Sequence, residues 1–331
     1  MRNTRMSKDL TLVTGGTGFI GSALTLALLD RGYPVRVLDN NFRGRDHRLA
    51  KAVGRFEMVE GDIRDDALVA AATNGVHSVY HLAFINGTRH FYEMPDMVLD
   101  VGTRGALATL KAALDEGVKR YILASSSEVY QTPERVPTDE TECMRIPDPT
   151  NPRYSYAGGK IISELLTLNY LRGKPVEGVI FRPHNIFGPD MGFEHVIPEL
   201  ARKMFDLSAG FTRKAIALPI QGQGTETRAF CYVDDAVDQI IACGEKGGAG
   251  EIYHVGDTAE RSILDLVDAM ASAYGLKVTV VPGPLRHGGT PRRCPDISKV
   301  RALGAEPSVG FDTGLERTLA WYADHFRRER A

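Results

Sequence analysis

Cysteine is scarce in this chain: Cys143, Cys231, Cys243 and Cys294 are scattered over 331 residues with no C-x-x-C pair. That argues against a zinc centre and a disulfide framework, and it points to a reducing, cytoplasmic setting with no metal. Charge excess is equally absent. Lys and Arg number 40 against 42 Asp and Glu, so nothing favours nucleic acid or an anionic membrane as partner. No apolar run approaches membrane-spanning length, and residues 1–8 are polar, without the apolar stretch of a secretory leader. Repeats and low-complexity segments are also missing. The length suits one large domain or two smaller ones.

Glycine, by contrast, is concentrated where it carries meaning. Residues 10–14, Leu-Thr-Leu-Val-Thr, read as a buried strand, and Gly15, Gly16, Gly18 and Gly21 follow at once. Such glycines permit a tight turn, close approach of backbone to a pyrophosphate, and contact between helix and sheet. The anion would rest on the N-terminus of the following helix. A second strand, residues 34–38, ends in Asp39, whose carboxylate suits ribose hydroxyls and repels a 2′-phosphate, so NAD is expected over NADP. Arg43 and Arg45 follow closely and soften that preference. The candidate cofactor residues are Gly15, Gly18, Phe19, Ile20, Gly21, Asp39 and Asn40.

The first half alternates apolar runs with helical patterns, which predicts a doubly wound parallel α/β sheet of Rossmann type. Strands are expected at 55–62, 76–83, 120–124 and 176–181, and helices at 97–116 and 156–171. Gly15–Gly21, Asp39, Asp62, residues 82–84 and residues 125–127 then all fall at C-terminal strand ends, where such sheets bind ligands. Beyond residue 181 prolines at 183, 189, 198 and 219 break the pattern into a loop-rich lobe suited to substrate specificity. The expected division is a dinucleotide-binding domain over 1–182 and a smaller substrate lobe over 183–331. Strands near 229–233 and 251–255 could rejoin the first. Residues 316–326 read as a closing amphipathic helix with Leu315, Leu319 and Tyr322 on one face.

Tyr156 and Lys160 stand four residues apart, on one face of a helix. The ammonium should lower the phenol's pKa and make it a usable base. Tyr154, six residues before the lysine, points elsewhere. Ser126, at a strand end, offers a hydroxyl to the substrate oxygen that loses its proton.

These stretches together resemble the extended short-chain dehydrogenase/reductases of the nucleotide-sugar epimerase and dehydratase group, from residue 10 to residue 322. The carriers are Thr14-Gly15-Gly16-Thr17-Gly18-Phe19-Ile20-Gly21, Gly61-Asp62-Ile63-Arg64, His81-Leu82-Ala83 and Ser125-Ser126-Ser127-Glu128-Val129-Tyr130. Further on come residues 156–160, 181–189, 227–235 and 292–297. The resemblance implies Asp62 and Ile63 beside the adenine, and Leu82, Ala83 and Phe84 along the cofactor. It makes Ser126, Tyr156 and Lys160 catalytic, with the tyrosine and lysine also touching the cofactor. Asn86, Ser127 and Glu128 would meet the substrate. Asn185, Arg228 and one of Arg292 or Arg293 would hold its diphosphate, for which a guanidinium fork is physically suited. It also implies a homodimer through the helices after the fourth and fifth strands, with Leu107, Leu110, Leu114, Ile161, Leu165 and Leu168 as apolar positions. Three residues depart from the group's pattern. Phe84 replaces an alanine and is expected to narrow the space beside the nicotinamide, Gly102 replaces an asparagine, and Gln131 replaces a glycine.

Members of this group begin by oxidising a sugar hydroxyl, usually at C4. A 4-epimerase needs nothing beyond the triad. A dehydratase needs an Asp-Glu pair, of which Ser127-Glu128 is half, and a uronic acid decarboxylase carries the pattern of residues 126–130. Glu128 is thus either a working carboxylate or a loop cap, and Glu194 and His195 are pocket groups or a helix start. The expected order is 4-epimerase on a UDP-hexose or UDP-uronic acid, then UDP-glucuronate decarboxylase, then 4,6-dehydratase. A non-catalytic NAD(P)-binding regulator comes last, because the triad is intact.

Overall fold

The computed structural model describes residues 9–284 and 290–330. The first half runs β1 (Thr11–Thr14), α1 (Phe19–Asp30), β2 (Val35–Asp39), β3 (Glu57–Glu60), α2 (Asp66–Thr73), β4 (Ser78–His81), α3 (Thr88–Glu93), α4 (Pro95–Asp115), β5 (Arg120–Ala124), α5 (Ser155–Tyr170) and β6 (Glu177–Pro183). Then come β7 (Ile186–Phe187), α6 (Val196–Leu207), β8 (Ala215–Ile220), β9 (Thr227–Ala229), β10 (Cys231–Tyr232), α7 (Val233–Lys246) and β11 (Ile252–Val255). The chain closes with β12 (Glu260–Ser262), α8 (Ile263–Tyr274), β13 (Lys277–Pro282), β14 (Arg292–Arg293), α9 (Ser298–Arg301) and α10 (Phe311–Arg330).

Seven strands form one parallel sheet in the order β11-β6-β5-β4-β1-β2-β3. This is the expected doubly wound Rossmann architecture. Side chains alternate across it as strand geometry requires. Val13, Val37, Ile122 and Phe181 enter the core shared with α1, α6, α7 and α10, while Leu12, Leu38, Leu123 and Ile180 enter the core beneath α2 and α4.

The strands at 57–60 and 78–81 are shorter than the expected 55–62 and 76–83. The segment near 251–255 joins the large sheet as its edge strand beside β6. The segment near 229–233 does not. Its residues pair instead in two small sheets, β9 with β12 and β14, and β10 with β7. The closing helix extends beyond 316–326 at both ends, with Leu315, Leu319 and Tyr322 buried as expected.

Candidate active site

The cradle at β1 and α1 has the shape a dinucleotide requires. Gly15 has φ +73°, and a Cβ there would lie 2.7 Å from the Ala83 nitrogen; one on Gly21 would lie 2.0 Å from the Gly15 oxygen. Only glycines let helix and strand approach this closely. Gly18 caps α1 without a side chain, and the first turn holds no acidic residue, so its N–H groups face an anion unopposed. Asp39 Oδ2 accepts from Thr17 N at 3.0 Å and Oδ1 from Asn41 N at 2.9 Å, locking the carboxylate against the glycine loop. These residues fit NAD. Gly15, Gly18, Phe19, Ile20, Gly21, Leu82 and Phe84 line a cleft of about 870 Å³ that continues past Asn86 to Ser126, Ser127, Glu128, Tyr156 and Lys160. Asp39, Asn40, Asp62, Ile63 and Ala83 are not among its walls. Asn40 donates to Asp62 at 3.3 Å, and hydrogen bonds from Arg64 hold the Asp62 carboxyl below its usual range. Ile63 is buried, with its Cδ1 2.2 Å from where a Cβ on Gly105 would stand, so its side chain serves the packing of α4.

Tyr156 and Lys160 occupy successive turns of α5, as their spacing predicts. Phe91 stacks on the Tyr156 ring at 5.0 Å, and Phe84 meets it edge-on at 5.2 Å. The expectation that Lys160 lowers the phenol's pKa is not met. Burial pushes Tyr156 up, and the Ser126 hydroxyl is the group that pulls it down. Burial also lowers Lys160, to about 7, against the pull of Glu164. Its ammonium donates to the Ala124 carbonyl at 2.6 Å.

Behind this pair lies a buried polar chain that the sequence did not announce. Glu164 accepts from Ser125 Oγ and, at 2.8 and 2.6 Å, from Arg182, which also reaches the Tyr130 hydroxyl. Tyr130 in turn meets His254 at 2.6 Å. The chain braces β5 and β6 at the strand ends that carry Ser126 and Asn185.

The two candidate arginines separate cleanly. Arg292 is turned outward onto Glu260, with Nε–Oε2 at 2.8 Å and Nη2–Oε1 at 2.5 Å, and it takes no part in the cleft. Arg293 lines the cleft and donates to Glu128 at 2.6 Å and to Thr290 Oγ1 at 3.0 Å. Burial would raise the Glu128 carboxyl, but Arg293, then Arg153 and Arg228, outweigh it and hold it below its usual range. Arg228, expected at the diphosphate, does not line this cleft. Its guanidinium already donates to the carbonyls of Thr227 and Thr290, both at 2.7 Å, and burial with Arg293 lowers it to about 10. It borders a second hollow of about 590 Å³, and Asn185, at φ +45°, lines both spaces. Glu194 and His195 also line both, and His195 immediately precedes α6.

Phe84 does not project into the cofactor space alone; its ring tip lies in the crevice between α4 and α5. Gln131, at φ +55°, adopts the left-handed conformation that a glycine takes without cost, and its Nε2 bonds the Glu128 carbonyl at 2.6 Å. Sequence reasoning missed Arg43, His90, Phe91 and Arg153 as walls of the cleft. Arg153 sits three residues before Tyr156 in a short 3₁₀ turn, and the position alone would have flagged it.

Among the described residues there is no cluster of metal-ligating side chains, and no helix is long and apolar enough to cross a membrane. Residues 11–256 match the NAD dependent epimerase/dehydratase family. The chain is 32% identical over 330 residues to a UDP-N-acetyl-alpha-D-glucosaminuronate decarboxylase of Bacillus cytotoxicus, covering 96% of this chain and 98% of that one. Its fold is similar to a UDP-glucose 4-epimerase of Thermotoga maritima (26% identity, TM-score 0.83, 97% and 100% covered). It is similar also to the dTDP-glucose 4,6-dehydratase of Streptomyces venezuelae solved with NAD (31%, TM-score 0.84, 96% and 98% covered). With the glycine cradle and the Ser126, Tyr156 and Lys160 cluster in one cleft, the chain belongs to the NAD dependent epimerase/dehydratase family, an NAD-dependent group of nucleotide-sugar enzymes.

Proposed function

We propose that this chain decarboxylates a UDP-linked uronic acid after oxidation at C4. The observation that carries the reading is the Glu128–Arg293 pair, at 2.6 Å in the cleft that also holds Ser126 and Tyr156. Its carboxylate, Glu128, is a group that a simple epimerase does not need. NAD, when bound, supplies the hydride acceptor and returns the hydride. Tyr156 takes the 4-OH proton, and Ser126 holds that oxygen by a hydrogen bond. With a ketone at C4 the C6 carboxylate becomes that of a β-keto acid, so the C5–C6 electrons can flow into the carbonyl as CO₂ leaves. Arg153, whose guanidinium makes no hydrogen bond among the described residues and acts on Glu128 only through its charge, is a carboxylate receptor in the same cleft. Glu128 places a like charge nearby, and loss of CO₂ relieves that repulsion.

The 4-epimerase reading stands second. It is supported by its need for the triad alone, which the cleft holds. Dehydration is third, since Ser127 stands where the acid–base pair would need a carboxylate. Two further parts of the reading are that Asn185 and Arg293 contact the diphosphate and that the chain is a homodimer.

One experiment tests the reaction: incubation with a panel of UDP-sugars, followed by mass spectrometry and NMR. Loss of CO₂ from a uronic acid supports the proposal. A product of unchanged mass inverted at C4 replaces it with epimerisation, and loss of water with dehydration.

A further inference from the structure

Phe84 leaves the end of β4 and inserts its ring between α4 and α5. A Cβ on Gly102 would stand 2.3 Å from the ring tip, and one on Gly159 would stand 2.9 Å from it. The ring and these two glycines are therefore a matched set: one from α4, one from α5, and an aromatic filling the recess they leave. Ser163 Oγ, donating to the Gly102 carbonyl at 3.2 Å, ties the two helices together at the same level. The face of the ring covers Lys160, with Nζ 4.1 Å from its centroid, and its edge meets the Tyr156 ring.

An ammonium has three donors to place. Lys160 is 3% exposed, and its hydrogen bond within the protein goes to the Ala124 carbonyl. The ring offers a cation a favourable quadrupole but no acceptor, and at 4.1 Å its face occupies that side of the ammonium. The remaining donors can then serve only the cleft that Lys160 lines.

We propose that Phe84 is a positioning residue: by filling the Gly102–Gly159 recess it excludes water from the helix side of Lys160 and commits the ammonium to the cleft. The inference rests on the reading of Tyr156 and Lys160 as the catalytic pair. The groups facing Lys160 are Glu164 on its own helix, neutralised by Arg182 of β6, the neutral His81 of β4, and Tyr156. None of them replaces the solvent that the ring displaces. Removing the ring admits water and moves the ammonium back toward ordinary lysine behaviour.

The test reads Lys160 directly in cofactor-free protein, by competitive labelling with acetic anhydride across pH and mass spectrometry of the peptide that carries it. Wild type is expected to show a midpoint near 7, and Phe84→Ala a rise of about one unit or more, a tenfold change in protonation equilibrium. Phe84→Met serves if the alanine variant does not fold. In parallel, Gly102→Ala should lower the thermal midpoint of wild type and do so little in the Phe84→Ala background. An unchanged labelling midpoint, or a Gly102→Ala penalty equal in both backgrounds, overturns the proposal. Neither readout depends on turnover, so a wrong assignment of the base would show separately, as undiminished activity in Tyr156→Phe.

Discussion

Glu128 and Arg293 are separated by 165 positions and meet at 2.6 Å inside the cleft. The contact joins the loop after β5 to the short strand β14, so two distant segments of the chain contribute to one pair.

If the pair drives decarboxylation, Glu128→Gln should leave C4 oxidation intact and slow CO₂ release, because the like charge beside the departing carboxylate is gone. The 4-keto acid should then accumulate and be trapped by borohydride. Equal loss of both steps would reduce Glu128 to a structural cap. Arg293→Met should be worse for folding than Glu128→Gln, since it strands a carboxylate in a mostly buried place.

Tyr156→Phe removes one proton acceptor and little volume. Turnover should fall by about 10²–10⁴-fold while NAD still binds in a calorimeter. Lys160→Ala should weaken NAD as well, because the ammonium opens onto the cofactor's side of the cleft.

Asp39 has one role proposed from its position at the end of β2, at the ribose, and a second seen only in the folded loop, where it accepts from Thr17 N and Asn41 N. Asp39→Ala should therefore reduce discrimination against NADP and also cost about 1–3 kcal/mol of stability, since two N–H groups lose their acceptor. Denaturant titration and calorimetry with both dinucleotides separate the two effects.

What could be read in advance was local. A strand, four glycines and an acid at the next strand end are contiguous signals, and Tyr156 with Lys160 needs only helical spacing. What could not be read depends on how distant segments return. The choice between Arg292 and Arg293 turns on strand alternation in β14, two residues long, where neighbours face opposite ways. Arg228 has the right chemistry for phosphate, but its bonds to the carbonyls of Thr227 and Thr290 come only from the folded loop. The direction of Phe84 was set by glycines 18 and 75 residues away, which no period in the sequence connects.

The histidines give the pH dependence a definite sign. His81, His184 and His254 are all lowered by burial, His81 and His254 to about 3. In the unfolded chain they take up protons near 6.5, so folding excludes protons below that value, down to about 3 for His81 and His254. Stability should be intact above 6.5 and fall as pH drops below it, by at most about 1.4 kcal/mol per unit for each histidine. Urea titrations at neutral pH and at about pH 5 check this, and His254→Gln should flatten the slope. A stability that rises on acidification would contradict it.

The assembly prediction concerns α4 and α5. Of the six apolar positions expected at the interface, Leu110 is fully buried in the core and unavailable, whereas Leu165 is 49% exposed. Leu99 and Ile162, not among the six, are 36% and 40% exposed on the same helix pair. A stripe of leucine and isoleucine open to water on two adjacent helices is the kind of surface a second copy would cover, each subunit giving two helices to a four-helix contact. Light scattering at micromolar concentration should therefore give twice the 36.3 kDa chain mass. Leu165→Glu combined with Ile162→Glu should yield a monomer that stays folded, because neither side chain reaches the core. A wild-type monomer, or a double variant that remains dimeric, would remove α5 from the interface.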